Sequence, residues 1–280
     1  MAAPRLAFFV VTTTLVIVGS YASTRSSTKD EKPLEFTYSG TRGPDRWASL
    51  DPTFRLCESG KSQSPIDINT NRTIPNNKLK PLIRAYNSVN VTLVNNKFTV
   101  AIEYPNHTGH IIVDDKHYSL RQMHWHSPSE HRIDGKRFAA ELHMVHVSDD
   151  GNVSVVATLF KYGKPDPLLG KIHNRMNELA YAVNNQEAVS PIWILDFHPE
   201  ELRKTSRKYY RYIGSSSIPP CSENLMYLVL AKARSISREQ VEALKSPLDI
   251  GCKYNARPCQ PINGRHVEVY EDSIVHHRRN

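Results

Sequence analysis

The chain has 280 residues, of which 39% are hydrophobic and 23% are charged, and its formal net charge is +8. This composition is typical of a folded globular protein and excludes a disordered chain. The basic residues are scattered apart from the C-terminal "HHRRN" and accompany no nucleic-acid-binding motif, which favours a solvated basic surface and predicts no nucleic-acid partner.

The N-terminus has the pattern of a targeting segment. One basic residue, Arg5, precedes an apolar run from Leu6 to Val18, and the small residues Ser20 and Ala22 follow at the spacing of a cleavage site. The run is shorter than the roughly 20 residues that cross a bilayer. We predict a secretory signal peptide over residues 1–22 and a polar leader over 23–34, with no membrane span after cleavage. An uncleaved anchor is the less favoured alternative.

Two further features agree with secretion. The chain has four Asn-X-Ser/Thr sequons, which are predicted glycosylation sites: Asn71, Asn90, Asn106 and Asn152. It also has four cysteines, Cys57, Cys221, Cys252 and Cys259, which allow three pairings in an oxidising compartment.

The rest of the chain is predicted to form mainly short β-strands. Segments 89–96 and 97–104 flank an Asn pair and predict a hairpin, and further strands are predicted at 110–115, 117–126, 137–147 and 152–163. Residues 166–183 have helical spacing, and Ser237 with Gln240 forms a predicted capping box for a helix over 238–245. We predict a mainly β (α+β) domain over residues 35–271 with a few peripheral helices, followed by a basic tail over 272–280.

One stretch concentrates histidines around a turn. Asp134-Gly135 is a strong signal for a two-residue hairpin turn. If that turn is tight, His126 faces His143, while His124 lies two residues away on the same strand face. Three neutral imidazoles without a fourth protein ligand suit a catalytic zinc ion, which keeps one position for water.

The neighbours of these histidines fit a metal site. Gln122 precedes His124 by two residues, and Glu141 precedes His143 by two residues, so each shares a strand face with its histidine. Metal-bound histidines usually donate their second ring N–H to an acceptor, and both side chains can accept it.

Four longer motifs resemble the alpha-class carbonic anhydrases, most of all their secreted plant members: "SQSPIDI" (62–68), "QMHWHSPSEH" (122–131), "AAELHMVH" (139–146) and "YYRYIGSSSIPPC" (209–221). The resemblance extends from about residue 36 to residue 270. It implies a single domain built on a central, twisted, mostly antiparallel sheet of about ten strands.

The resemblance also implies roles for individual residues. The zinc ligands are His124, His126 and His143, supported by Gln122, Glu141 and the backbone carbonyl of Asn255. Ser217 is the catalytic hydroxyl that donates to Glu130, Tyr38 is a cavity tyrosine, and His131 and His146 are structural. The implied substrate pocket contains Val145, Val155, Ser216, Ile218, Leu225 and Tyr227. Cys57 and Cys221 match a disulfide of secreted members, while Cys252 and Cys259 either pair or remain free thiols.

Several positions depart from the family pattern. Ser217 replaces a threonine, Ser216 a leucine and Tyr227 a tryptophan. Phe98 occupies the position of the proton-shuttle histidine, which predicts turnover limited by proton export and rescue by imidazole buffers. His107 and His110 are the candidate substitutes.

The implied activity is zinc-dependent, reversible hydration of carbon dioxide to bicarbonate and a proton. A weakly active or inactive carbonic-anhydrase-like storage or binding glycoprotein is the alternative, and zinc-dependent ester hydrolysis is a third reading as a side activity. The expected location is extracellular (the apoplast), with a chloroplast reached through the secretory route as the alternative. The sequence leaves the oligomeric state open.

Overall fold

The computed structural model describes residues 35–105, 108–185, 190–199, 202 and 207–272. The predicted signal peptide and leader, the tail beyond residue 272, the Asn106 sequon and His107 lie outside these residues. The described fold belongs to a compact unit that spans Leu34–Asn280.

The described residues contain fifteen strands, nine of them in the N-terminal half of the domain. These nine are β1 (Asp67–Ile68), β2 (Ile74–Pro75), β3 (Ile83–Tyr86), β4 (Val89–Asn95), β5 (Val100–Glu103), β6 (Gly109–Val113), β7 (Lys116–His126), β8 (Arg132–Ile133) and β9 (Lys136–Arg137). The others are β10 (Ala140–Val147), β11 (Val153–Tyr162), β12 (Ile192–Phe197), β13 (Lys208–Ser215), β14 (Glu223–Ile236) and β15 (Glu268–Glu271). The helices are α1 (Trp47–Leu50), α2 (Leu56–Ser59), α3 (Pro167–Asn184) and α4 (Arg238–Lys245).

Twelve of these strands form one large sheet. Its main path runs β12-β4-β5-β7-β10-β11-β14-β13-β15-β2, and β6 joins β3 to β7. The pairings are antiparallel except for β11 with β14 and β15 with β2. The mainly β fold class is therefore confirmed, with twelve strands in the main sheet rather than about ten. The predicted β4–β5 hairpin is also present, with Asn95 opposite Val100.

Both predicted helices form, and each begins at a side-chain cap. The Asp166 side chain accepts hydrogen bonds from the backbone N–H groups of Leu168 and Leu169 at the start of α3. Ser237 and Gln240 form the reciprocal capping box that begins α4. Neither α3 nor any other helix of the described residues is long and apolar enough to cross a membrane.

Alternation along β7 and β10 gives the sheet two different faces. Met123 and Trp125 on β7 and Leu142 and Met144 on β10 enter the large core, which also contains the buried side of α3. The intervening histidines therefore project from the opposite face. That face carries the second apolar cluster, which includes Val155, Ala157, Leu159, Tyr210, Tyr212, Tyr227 and Val229.

The Asp134-Gly135 turn is present, but the predicted pairing of His126 with His143 is wrong. The turn joins β8 to β9, with Ile133 opposite Lys136, and both turn residues have positive φ. Irregular segments then separate β7 from β8 and β9 from β10, and they move the register by two residues. His124 lies opposite His143, and His126 lies opposite Glu141. Because the shift is even, the three histidines still share one face.

Candidate metal centre

Three histidines converge where β7 pairs with β10. The ring centroids of His124 and His143 are 5.3 Å apart, and those of His126 and His143 are 4.7 Å apart. One ring nitrogen of each histidine lies within 4.8 Å of the other two. His126 and His143 are buried, while His124 is half-buried. The three rings can therefore face one common point.

The second nitrogen of each ring is held by an acceptor. His124 Nδ1 donates to Gln122 Oε1 at 3.0 Å, and His143 Nε2 donates to Glu141 Oε1 at 2.8 Å. His126 Nδ1 donates to the backbone carbonyl of Asn255 at 2.6 Å. These bonds place the ring protons on the outer nitrogens, so the lone pairs of His124 Nε2, His126 Nε2 and His143 Nδ1 point inward.

Burial and neighbouring charges set the protonation of the cluster. Burial, together with the other two histidines, holds the pKa of His124 well below its ordinary value. The pKa of His126 is lowered chiefly by burial. Burial also opposes charge on His143, but the adjacent Glu141 carboxylate outweighs it and raises the pKa of His143. The environment thus favours the neutral form of His124 and His126, which is the form that metal ligation requires.

Glu141 anchors a buried chain of hydrogen bonds behind His143. Its Oε1 also accepts from His131 Nδ1 at 2.6 Å, and its Oε2 accepts from the His131 backbone N–H at 2.7 Å. With Nδ1 protonated, His131 Nε2 accepts from the Tyr212 hydroxyl at 2.6 Å, and that hydroxyl lies 2.9 Å from Ser64 Oγ. Although burial opposes ionisation, the two histidines hold the pKa of Glu141 well below its ordinary value. Tyr212 and Ser64 both lie in the motifs that carry the family resemblance, but no sequence pattern singles out either residue.

Glu130 places a second buried carboxylate beside the histidines. Its Oε1 accepts from the Arg257 backbone N–H at 3.0 Å. Its Oε2 lies 3.6 Å from His126 Nε2 and 4.0 Å from His143 Nδ1, and has no hydrogen-bond partner among the described residues. An unpartnered buried carboxylate oxygen is costly, so this atom is poised to accept from a group bound at the centre.

Arg257 fixes the position of Glu130 from behind, and sequence reasoning missed it. Its buried guanidinium donates to Gln63 Oε1, to the Ser64 carbonyl and to the Cys57 carbonyl, at 2.8, 2.8 and 2.7 Å. These contacts tie the loop that carries Asn255 and Arg257 to the disulfide region.

Four of the predicted pocket residues adjoin the histidine cluster. A row of directly paired residues leads across the sheet from Gln122 through Val145 and Val155 to Tyr227. The Tyr227 ring lies 5.8 Å from that of His143, and Leu225 and Val145 pack on the same apolar cluster as Val155. The structure therefore brings Val145, Val155, Leu225 and Tyr227 together beside the centre.

The loop between β13 and β14 carries the other predicted residues. Ser217 is buried there, but its hydroxyl makes no hydrogen bond to Glu130 within the described part of the chain. The Ser216 hydroxyl instead donates to the Ile218 carbonyl at 2.9 Å, and Ile218 packs against a third apolar cluster that contains Trp47. The structure thus places Ser216 and Ile218 at the loop, where neither makes a hydrogen bond to the three histidines among the described residues.

The predicted disulfide is confirmed. Cys57 and Cys221 are bonded across a sequence separation of 164 residues, which anchors the β13–β14 loop to α2. Cys252 and Cys259 are free thiols in the structure, which decides between the two alternatives that the sequence left open.

Four further residues that the sequence singled out lie among the described residues: Tyr38, Phe98, His110 and His146. The Tyr38 hydroxyl is buried without a hydrogen-bond partner in the described ranges, and burial, with a contribution from Glu130, raises its pKa. The half-buried Phe98 ring packs 5.0 Å from Phe36.

His110 lies opposite Ser119, five residues along β7 from His124, or about 16 Å. That distance is too long for direct proton transfer. His146 is buried on the opposite face, where Nε2 lies 3.0 Å from the Tyr86 hydroxyl.

The donor set suits a zinc ion. His126 Nε2 is buried and has no hydrogen-bond partner among the described residues, as expected for an atom reserved for a ligand. Three imidazoles whose second nitrogens are bonded to Gln, carboxylate and carbonyl oxygens could hold a zinc ion and leave a fourth position for water. The fold and this centre define a class of sheet-based proteins with a three-histidine candidate metal site.

The family model for the eukaryotic-type carbonic anhydrases matches residues 42–271. The chain therefore belongs to the eukaryotic-type carbonic anhydrase family. The predicted likeness to plant members is also confirmed. The chain is 37% identical over 261 residues, 93% of each chain, to alpha carbonic anhydrase 7 from Arabidopsis thaliana.

Three other matches include both dioscorins and a bacterial carbonic anhydrase. The chain is 35% identical over 239 residues to dioscorin dioA3 from Dioscorea japonica, covering 85% of this chain and 86% of the relative. A crystal structure of dioscorin complexed with ascorbate superposes with a TM-score of 0.81 at 33% identity, covering 85% of this chain and 98% of the other. The alpha-carbonic anhydrase from Thermovibrio ammonificans, in complex with sulfanilamide, gives 0.74 at 37% identity, with 83% and 98% covered.

Proposed function

We propose that the protein is an active carbonic anhydrase that hydrates carbon dioxide reversibly to bicarbonate and a proton. The observation that carries the proposal is the set of three inward ring nitrogens, each backed by a bonded second nitrogen. Zinc at such a site acidifies bound water to a pKa of about 7, so that hydroxide is available at neutral pH.

The chain's own residues have separate roles in the proposed reaction. His124, His126 and His143 would hold the metal, and Gln122, Glu141 and the Asn255 carbonyl fix their rings. Val145, Val155 and Leu225 offer an apolar wall where carbon dioxide can lie without competing for hydrogen bonds. Glu130 offers an acceptor for a proton at the centre, either directly or through the Ser217 hydroxyl.

A proton must also leave the cavity after each turnover. Phe98 has no titratable group, and His110 lies too far along β7. The proposal therefore includes slow proton export, with buffer molecules as the acceptors.

The alternative is a carbonic-anhydrase-like storage or binding glycoprotein with little hydration activity. The likeness to dioscorins and the missing Ser217–Glu130 hydrogen bond favour it. The intact histidine centre with all three supporting acceptors favours the enzyme.

Stopped-flow CO2 hydration by the purified protein tests the proposal, with His126→Ala beside the wild type. We expect wild-type activity and a loss of more than about 100-fold in the variant, since even residues behind a metal ligand contribute 10- to 100-fold. His110→Ala, on the same sheet, is the matched control and should keep its activity. A wild-type protein that binds stoichiometric zinc without hydration would favour the alternative.

We also propose that the chain acts in the secretory pathway or outside the cell. The Cys57–Cys221 bond supports this location, because disulfides persist in oxidising compartments. A chloroplast reached through the same route is the other candidate. A carboxy-terminal fluorescent fusion in plant cells separates the two locations.

A further inference from the structure

The strand at one end of the described sheet exposes two large apolar side chains. β12 is the terminal strand of the sheet path, paired only with β4 among the described strands. Trp193 is 65% exposed and Leu195 is 72% exposed, while Ile192 and Ile194 turn inward to the core. An exposed apolar edge strand is a template for association with other chains, and proteins normally protect such edges.

A glycosylation sequon lies directly beside these side chains. In the sequon Asn90-Val91-Thr92 on β4, Thr92 is paired with Trp193 and Val91 with Ile194. Asn90 and Thr92 are two residues apart and therefore share the face of the sheet on which Trp193 projects. Val91 points into the core, as its full burial shows.

The Asn90 side chain is already oriented by the edge strand. The register between β4 and β12 shifts between Ile194 and Phe197, so that Leu195 and Asp196 together face Asn90. The backbone N–H of Asp196 donates to Asn90 Oδ1 at 3.0 Å. This bond engages the amide oxygen. The amide nitrogen Nδ2 donates no hydrogen bond within the described part of the chain.

The other described sequons lack this arrangement. Asn152 Nδ2 donates to Asp150 Oδ2 at 2.9 Å, and Asn152 lies in the turn between β10 and β11. Asn71 lies in a short 3-10 turn over residues Thr70–Arg72. Neither adjoins a pair of large apolar side chains of comparable exposure.

We propose that Asn90 carries an N-linked glycan that covers Trp193 and Leu195 and so protects the β12 edge from self-association. Asn90 Nδ2 bonds to the anomeric carbon of an oligosaccharide donated by a lipid pyrophosphate. The carbon–oxygen bond to the pyrophosphate breaks, the lipid pyrophosphate leaves, and Nδ2 gives up one proton to a base of the transferase. The apolar face of the first sugar ring then packs against the Trp193 indole, while its hydroxyls face water. This inference rests on the proposed passage through the secretory pathway.

Two variants of Thr92 distinguish an effect of the glycan from an effect of the protein surface. Thr92→Ala removes the sequon but keeps the Asn90–Asp196 hydrogen bond, whereas Thr92→Ser keeps both. The full chain of each variant is secreted from a eukaryotic host. Glycopeptide mass spectrometry gives the occupancy, and light scattering after size exclusion gives the association state.

We expect Asn90 to be occupied in the wild type and in Thr92→Ser. Thr92→Ala should bind at least about twofold more of the apolar dye ANS, because it uncovers the apolar patch, and should self-associate at concentrations where Thr92→Ser does not. Adding Trp193→Ser and Leu195→Ser to Thr92→Ala should restore the wild-type dye binding and the wild-type association state.

Two outcomes in which the secreted chain carries a glycan overturn the proposal while leaving secretion intact. In one, Asn71 or Asn152 is glycosylated and Asn90 is bare. In the other, Asn90 is occupied but Thr92→Ala and Thr92→Ser are alike in dye binding and association. A secreted chain that lacks glycan at every sequon overturns it as well, and a chain that is retained in the cytosol overturns both it and the proposed location.

Discussion

The carboxylate oxygen Oε2 of Glu130 lies 3.6 Å from Nε2 of His126, and neither atom has a hydrogen-bond partner among the described residues. Two buried polar atoms that are left without hydrogen bonds mark a place where a ligand completes the structure. In the proposed function the nitrogen would bind the metal ion, and the oxygen would accept a proton from the reacting water or from Ser217.

Replacing Glu130 should impair the chemistry without removing the metal. We expect Glu130→Gln to lower kcat/KM for CO2 hydration by about 100-fold, the usual order for one buried electrostatic contact at a reacting centre. Zinc content, measured by mass spectrometry of the metal, should stay at one equivalent.

A double variant tests whether Glu130 and Ser217 act as one unit. If they do, Glu130→Gln with Ser217→Ala should lose no more activity than the more impaired single variant. Additive losses would show that Glu130 acts independently of the hydroxyl.

Glu141 should govern how tightly the metal is held. Its Oε1 accepts from both His143 and His131, so Glu141→Gln removes the charge that orients the ligand. We expect zinc affinity to fall by about 10- to 100-fold in a chelator competition titration. The control is Glu178→Gln, which replaces an exposed carboxylate on α3. Equal affinities in the two variants would contradict this role of Glu141.

Turnover should depend strongly on buffer. Phe98 packs on Phe36 and carries no proton, and His110 is about 16 Å from His124 along β7. We expect kcat to rise saturably by at least about tenfold as imidazole is added at constant pH and ionic strength, because general acid–base transfer contributes 10²–10⁴-fold. A kcat that stays constant from low to high imidazole would refute slow proton export.

The disulfide should stabilise the fold and the loop beside Ser217. Replacing Cys57 and Cys221 together by serine releases a cross-link over a separation of 164 residues. We expect a loss of about 4 kcal/mol in the free energy of unfolding, measured with urea. Cys259→Ser removes a free thiol and should change this free energy far less. If the double cysteine variant and Cys259→Ser unfold at the same urea concentration, the Cys57–Cys221 bond is not a major source of stability.

The face of the sheet that carries the metal ligands could be predicted from sequence, but the pairing could not. Alternation along a strand depends only on neighbouring residues, so His124, His126 and Glu141 were assigned correctly to one face. The opposition of His124 to His143 depends on the irregular segments between the strands, and these leave no periodic signal. These segments shift the register by an even number of residues, which leaves the three histidines on one face and changes the residues that they are paired with.

Contacts between distant parts of the chain lay beyond pattern analysis. The Asn255 carbonyl reaches His126 across 129 positions, and it was assigned through the family resemblance alone. The position of Arg257 behind Glu130 could not be foreseen, because a single arginine in a loop resembles any other solvated charge. The free state of Cys252 and Cys259 likewise depends on tertiary geometry.

Zinc titration of the metal-free protein, with CO2 hydration measured at each addition, tests whether the histidine centre is catalytic. We expect activity to rise linearly and to level off at one equivalent of zinc, and we expect no such rise in His126→Ala. Saturation of the wild type with zinc and no hydration above that of buffer would contradict the proposed carbonic anhydrase activity.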